Sequence, residues 1–285
     1  MHQQLHLDQD QGDWTVDELI CTCISRQIED GEMVAQGMAT PLVAAGYMLA
    51  KLTHAPNITF ASVIGNSLCL EGGPMAMSRV ENVWIGNARH FVSFTDVVCS
   101  VLPAMHLKEF FRPAQVDPQG NTNNVVFGDH HRPRLRMPGS GGIPDLTAFS
   151  HRVYLYVPRH GKATFVPRLD FRSGVGALSA VERQRTGVMG PGPRFLVSDL
   201  GCFDFADGRM RLLSRHPGVT AERIQAKTGF PLDVAPGCPE TEPPSKVEVH
   251  LLRHVIDPLG IRSVEVLGGG ARWDKLRQIA RAEAG

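Results

Sequence analysis

The residues best equipped for chemistry in this 285-residue chain gather between Gln115 and Gly142. Gly139, Gly141 and Gly142 surround Ser140. Glycines so closely spaced let backbone N–H groups approach a ligand and can form an anion-binding nest. The run is not a P-loop, because no Lys-Ser/Thr pair ends it, and it does not read G-x-G-x-x-G. Taken alone it is more often a tight turn. Just upstream, Asp129, His130 and His131 offer a carboxylate and two imidazoles, suited to hydrogen-bond donation or acid–base work. Adjacent histidines on a regular strand cannot both face one metal, so no metal site is expected. The plain alternative is a solvated loop rich in Arg132, Arg134 and Arg136, a cluster that could also receive phosphates. Gln115, Asp117, Asn121 and Asn123 flank Gly120 in a turn, where Asp and Asn commonly satisfy their own backbone. Glu71, Glu81, Asp96 and Glu109 show no pairing along the sequence and read as surface carboxylates.

The elements that must hold these groups are marked by spacing. Thr15 with Glu18 forms a capping-box pattern, followed by Leu19, Ile20, Cys23, Ile24 and Ile28 at helical spacing, with Asp30-Gly31 as the stop. Glu32 to Met38 reads as a short strand running into a glycine turn. Pro41 to Lys51 reads as a second helix, His54 to Asn57 as a turn, and Ile58 to Ile64 as a strand stopped by Gly65. Helix, strand, helix, strand is a parallel α/β signature. Buried strands are expected at Phe91 to Phe94, Val125 to Phe127, Val153 to Val157, Ala163 to Val166 and Phe195 to Asp199. Phe203 to Phe205 and Met210 to Leu213 flank Asp207-Gly208 as a hairpin. Thr220 to Gly229 reads as a capped helix, Pro236 to Pro244 as a loop, Val247 to Val255 as helix or strand, and Trp273 to Ala284 as a terminal helix. No internal boundary is visible. The expectation is a flexible tail over 1–14 and one α/β domain over 15–285, with an open, mostly parallel sheet and flanking helices.

Composition narrows the class. With 42% hydrophobic residues, a chain of this length can bury about 75% of its unfolded surface without staples. The 29 basic and 29 acidic residues cancel, which argues against a nucleic-acid partner. None of the six cysteines forms C-x-x-C, so a zinc knuckle is not expected and reduced thiols are. Cys21 and Cys23, two apart on a helix, face different ways. The acidic, polar start has no apolar signal core, and no run of apolar residues is long enough to span a bilayer. A cytoplasmic protein with no membrane partner is expected.

Several segments together resemble the β subunits of family I CoA-transferases. Gln115 to Asn123 resembles Q-[VI]-D-x-x-G-N-x-N. Gly128 to Pro133 and Gly139 to Gly142 resemble G-D-x-H-H-P and G-S-G-G of the glutaconate-type β subunit. Val197 to Phe205 matches V-[ST]-D-x-x-x-[FL]-x-F. His216 to Thr220 and Thr228 to Phe230 resemble P-G-V-T and T-G-F, and Ala55-Pro56-Asn57 an A-P-[DN] turn. The resemblance implies an acyl-CoA substrate, no further cofactor, and a site shared with a homologous α subunit in an αβ or α2β2 heteromer. It implies that Gly139, Ser140, Gly141, Gly142, Asp129, Asn121 and Gln115 line the acyl-CoA site, with His130 and His131 as candidate catalytic groups. In the family a β-subunit glutamate attacks the thioester. It follows the A-P-[DN] turn, two residues before a glycine, and the matching residue here is Val63. Related two-subunit hydrolases that open a steroid ring as its CoA thioester lack that glutamate and use one on the partner subunit. A hydrolytic or ring-opening, C–C-cleaving role is therefore expected. The alternatives are a true CoA-transferase of glutaconate or 3-oxoacid type, with its nucleophile elsewhere, such as Glu71, or a non-catalytic CoA-binding subunit.

Overall fold

A ten-stranded sheet organises the computed structural model, which describes residues 13–37, 40–62, 65–78 and 82–284. The expected tail over 1–14 falls largely outside these residues, as do Val63 and Glu81. In chain order the strands are β1 (Met33–Gln36), β2 (Thr59–Ser62), β3 (Ser67–Cys69), β4 (Ala88–Phe91), β5 (Lys108–Phe111), β6 (Gln115–Val116), β7 (Thr122–Asn123), β8 (Val126–Gly128), β9 (Pro133–Arg136), β10 (Val153–Val157), β11 (Phe195–Ser198), β12 (Gly201–Asp204), β13 (Arg211–Arg215) and β14 (Asp233–Val234). The large sheet runs β14-β13-β12-β11-β10-β5-β1-β2-β3-β4, while β6-β7 and β8-β9 are separate ribbons. Strands β11, β10, β5, β1 and β2 are parallel. Antiparallel pairs flank them on either side, through β11-β12-β13 and β2-β3-β4.

Helices α1 (Val16–Ser25), α2 (Pro41–Thr53), α3 (Ile143–Phe149), α4 (Ala180–Thr186), α5 (Ala221–Lys227), α6 (Lys246–Leu251) and α7 (Gly269–Ala284) flank the sheet. One face packs Leu19, Ile24, Leu42, Tyr47, Phe60 and Phe110 against α1, α2 and the C-terminal segment. The other packs Ala35, Ala61, Phe111, Leu155, Leu196 and Ile224 with Leu146 of α3. Helix α2 is buried on nearly every side, the mark of a core helix. It meets α1 so closely that a Cβ on Gly46 would lie 2.7 Å from the Ile24 side chain.

The expected open, mostly parallel α/β sheet is borne out, with several local differences. Helix α1 begins at the Thr15 cap, whose N–H donates to Glu18 at 2.8 Å, but it ends at Ser25 rather than at Gly31. Ile28 stays buried beyond it. The run Phe91 to Phe94 is not one buried strand: Phe91 closes the edge strand β4 and is 62% exposed. Val125 to Phe127 belongs to the small β8-β9 ribbon rather than to the main sheet. Ala163 to Val166 forms no strand; only an isolated bridge joins Phe165 to Val116. Val247 to Val255 is helical. All six cysteines are free, and among the described residues no helix is long and apolar enough to cross a membrane.

Candidate active site

The sheet reverses its winding between β1 and β5. From β1 the chain moves one way through β2, β3 and β4, then returns to the other side of β1 and continues through β5, β10 and β11. In open α/β sheets, ligands bind outside the carboxyl ends of the strands at such a switch point. Here the switch is also physically opened. Among the described residues only two pairs join β1 to β5, Val34 with Lys108 and Ala35 with Glu109. Beyond them the Tyr47 hydroxyl, reaching in from α2, donates to the Ala35 carbonyl and accepts from the Phe110 N–H, both at 3.1 Å. It satisfies two backbone groups that the diverging strands no longer offer each other.

Glu109 stands at this opening. It lies on the face shared with Ala35 and Ala61, since β1 pairs Ala35 with both Ala61 and Glu109. Its carboxyl reaches the level of Gly37, where an added Cβ would sit 3.5 Å from Oε1. The side chain is partly accessible but closely surrounded, and burial pushes its carboxyl up to about 8. Among the described residues it makes no side-chain hydrogen bond or ion pair. The charges next to it in the fold are committed elsewhere. Lys108 and Arg152 pair with Glu32 at 2.6 and 2.7 Å, and Arg112 pairs with Glu265 at 2.8 Å. On the other face, Gln36 closes β1 buried, and among the described residues its Oε1 has no partner.

Glu265 anchors the mouth of the crevice. One carboxylate oxygen accepts from Arg112 and from the Tyr156 hydroxyl at 3.0 Å; the other accepts from the Leu42 N–H at 3.0 Å. These contacts tie β5, β10 and the start of α2 together. Burial nevertheless raises its carboxyl above the usual range. Arg112 and Glu265, with Arg159 and Arg272, line a cavity of about 230 Å³ at the ends of β5 and β10. Three guanidiniums facing one carboxylate make it net basic.

The Gly139–Gly142 loop lies above the same end of β5. Asn124 Nδ2 donates to the Arg112 carbonyl at 3.2 Å, and the Asn124 carbonyl accepts from the Gly139 N–H at 3.2 Å. Gly139 and Gly141 take φ of +112° and +50°, and a Cβ at either would meet nothing within 4 Å. The loop is thus an open, glycine-dependent surface that leads into α3. Asp129, His130 and His131 sit apart from it, exposed at the tip of the β8-β9 ribbon. Asp129 accepts from the N–H groups of His131 and Arg132 at 2.8 and 3.0 Å, a local turn. His130 stacks on Phe171 with ring centroids 5.0 Å apart. Gln115 and Asn121 are buried, with their polar atoms engaged. Gln115 bonds Asn123 and Asp170 at 2.7 and 3.1 Å, while Asn121 bonds Asp117 and the Gly176 N–H at 2.9 Å. They hold the connection that carries the chain from β5 to the glycine loop.

Glu71 is remote from the mouth. Cys69 pairs with Phe60 in antiparallel register, so Glu71, two residues on, lies level with Ile58 at the entry of β2. There it faces Lys51 at 3.7 Å, and Lys51 Nζ also donates to the Pro56 carbonyl at 2.6 Å. The late motifs meet at the end of β11. His216 Nε2 donates to the Ser198 carbonyl at 2.8 Å, and His160 bridges Ser198 Oγ and Thr228 Oγ1 at 3.1 and 3.0 Å while stacking on Phe165. Burial lowers these imidazoles to about 4 and about 3; both are neutral and knit the fold.

A family model for coenzyme A transferase matches residues 18–227. The chain belongs to the coenzyme A transferase family. It is a β-type subunit of that family, 31% identical to the β subunit of glutaconate CoA-transferase from Acidaminococcus fermentans, over 87% of this chain and 95% of that one. It is 32% identical to the cholesterol ring-cleaving hydrolase IpdB subunit of Mycobacterium tuberculosis, over 83% and 92% of the two chains. A crystal structure of the decarboxylase AibA/AibB superposes with a TM-score of 0.77 at 30% identity, covering 89% of this chain and 99% of that one. One fold thus serves transfer, hydrolysis and decarboxylation.

Sequence reading missed Glu109 by taking it for a surface carboxylate. The signal was present in the alternation of Leu107, Glu109 and Phe111, closed by the breaker Arg112-Pro113.

Proposed function

We propose that this chain is the β subunit of an αβ heteromer that acts on an acyl-CoA thioester, with water rather than a carboxylic acid as acceptor. The favoured chemistry is ring opening or other C–C cleavage of a β-keto acyl-CoA. The observation that carries this reading is the absence of any carboxylate from Ile58 to Leu70, the stretch in which the family's attacking glutamate falls and where Val63 stands instead. An isopropyl group cannot carry an acyl intermediate. Where a nucleophile acts within a catalytic unit, its loss removes a factor on the order of 10⁶. Glu71 offers no substitute from the entry of β2. Likeness to a ring-cleaving hydrolase subunit supports the same reading.

The remaining roles follow from placement. Amides of Gly139, Ser140, Gly141 and Gly142 would hold the thioester or a developing oxyanion. Arg112, Arg159 and Arg272 would take the phosphates of CoA, the only cofactor-like group the reaction needs. Asp129, His130 and His131 sit where a partner or the outer part of the substrate could meet them. The homologous α subunit supplies the base that activates water.

The test uses the purified heteromer with an acyl-CoA, with and without acetate. The expected result is acetate-independent turnover and no hydroxylamine-sensitive glutamyl adduct on this chain. Strict dependence on a carboxylic acid, with an adduct here, would return the chain to CoA exchange.

A further inference from the structure

We infer that Glu109 is the acid of this subunit, donating a proton to the α-carbon of a cyclic β-keto acyl-CoA as its carbon–carbon bond breaks. The inference rests on the hydrolytic reading above and adds a residue to it. Four observations place the group. It sits on β5 beside β1, at the one point where the sheet changes direction and where ligands of such sheets are held. Tyr47 holds the two strands apart there. Its neighbours on the same face are small: Ala35, Gly37 and Ala61 put no more than a methyl group beside the carboxyl. Finally, among the described residues nothing bonds or neutralises the carboxyl, although every nearby cation has a partner. A carboxyl that solvent reaches and that no protein group bonds is free to meet a ligand, and groups with displaced titration cluster where they act.

The chemistry asks for a neutral acid. A carboxyl that stays protonated at pH 7 cannot attack a thioester but can give up a proton, and its surroundings hold Glu109 in that form. Water adds through its oxygen to the keto carbon. The bond to the α-carbon breaks, and its electron pair passes into the thioester enolate. The Glu109 O–H bond breaks as the new C–H bond forms at that carbon. The proton that the partner's base takes from the water then returns through solvent to restore the carboxyl, so that both groups end as they began. One water is consumed, and the ring opens to an acid that still carries its CoA thioester.

The test compares the heteromer containing wild-type chain, Glu109→Gln and Glu109→Asp, with 2-oxocyclohexanecarboxyl-CoA as probe. Glutamine keeps the shape without the proton. The expected loss in kcat for Glu109→Gln is about 10²- to 10⁴-fold with KM little changed. The wild-type fall in rate above about pH 8 should disappear with it, and Glu109→Asp should recover part of the rate. Should Glu109→Gln fail to assemble, the same fall and the Glu109→Asp rate decide: a flat wild-type profile or an unaltered Asp variant overturns the inference. An intact probe with wild-type enzyme, or a Gln variant with unchanged rate and profile, overturns it also. Turnover that requires acetate overturns the hydrolytic reading instead, so the two failures are distinguishable.

Discussion

Replacing Glu109 with glutamine should stabilise the protein at alkaline pH and leave it almost unchanged at pH 5. The carboxyl ordinarily titrates at 4.5 and is pushed to about 8 by burial. Below pH 4.5 the folded and unfolded chains both carry the proton. Between there and about pH 8 the unfolded chain has released it while the folded chain keeps it, so stability falls as pH rises. Above about 8 the folded carboxyl ionises too, and the loss levels off. At about 1.4 kcal/mol per pH unit the full difference is about 5 kcal/mol. That is an upper bound, because solvent reaches part of the side chain; about half of it is the working expectation. Glutamine does not titrate, so the variant escapes this loss. A chain of this size shifts its melting temperature by about 2–4 °C per kcal/mol. Thermal unfolding at pH 5, 6.5 and 8 should therefore show the variant gaining about 5–10 °C on wild type over that range. Parallel curves at all three pH values would mean that Glu109 titrates like a surface carboxylate, and the reasoning about its surroundings would fall.

Glu265→Ala should cost about 2–4 kcal/mol in urea unfolding, because it strips the buried Tyr156 hydroxyl and Leu42 N–H of their acceptor, while the exposed Arg112 guanidinium turns to water; a loss under about 1 kcal/mol would show that the mouth is held by other contacts. His160→Phe should lower stability at pH 7, since Ser198 and Thr228 lose their partner, yet reduce the acid sensitivity between pH 6.5 and 4. In that window the unfolded imidazole takes up a proton that the folded one, at about 3, refuses, so wild type loses stability as pH falls; unchanged acid sensitivity of the variant would refute this. Gly141→Phe meets open space and should cost about 1–2 kcal/mol through its left-handed backbone, while raising KM for acyl-CoA about tenfold or more. Unaltered kinetics in an assembled complex would take the glycine loop out of the site.

Much of the frame was legible because the sequence marks it locally. The Thr15 cap, the Pro41 start of α2 and the Asp207-Gly208 turn between β12 and β13 all depend on residues a few positions apart, and β10 is one uninterrupted apolar run. Strands whose identity depends on tertiary setting were not legible. Lys108-Glu109 looks like surface charge, yet β5 is an inner strand, because Lys108 finds Glu32 and Glu109 opens into the crevice. Ala163 to Val166 has strand composition but lies against Val116 by a single bridge. The glycine loop was visible from spacing as a turn that needs glycine, but spacing alone gave it no role. The remoteness of Asp129, His130 and His131 from it was not visible, since a ribbon tip and a loop close in sequence can point apart. The role of His216 and His160 as neutral struts was equally hidden, because their partners at Ser198, Thr228 and Thr241 are distant in the chain.

The buried charges of α1 have a consequence for how the chain is made. Asp17 and Glu18 are buried and meet Arg262 at 2.9 and 2.8 Å, and Arg253 joins Glu18 at 2.7 Å. Glu18 and Arg262 are 244 residues apart. At about 5–20 residues per second, the first helix leaves the ribosome roughly 10–50 s before its counter-charges exist. Until then, docking it would bury two carboxylates unpaired. The nascent chain must hold α1 in water, and the sheet can be capped on that face only after Arg262 has been made.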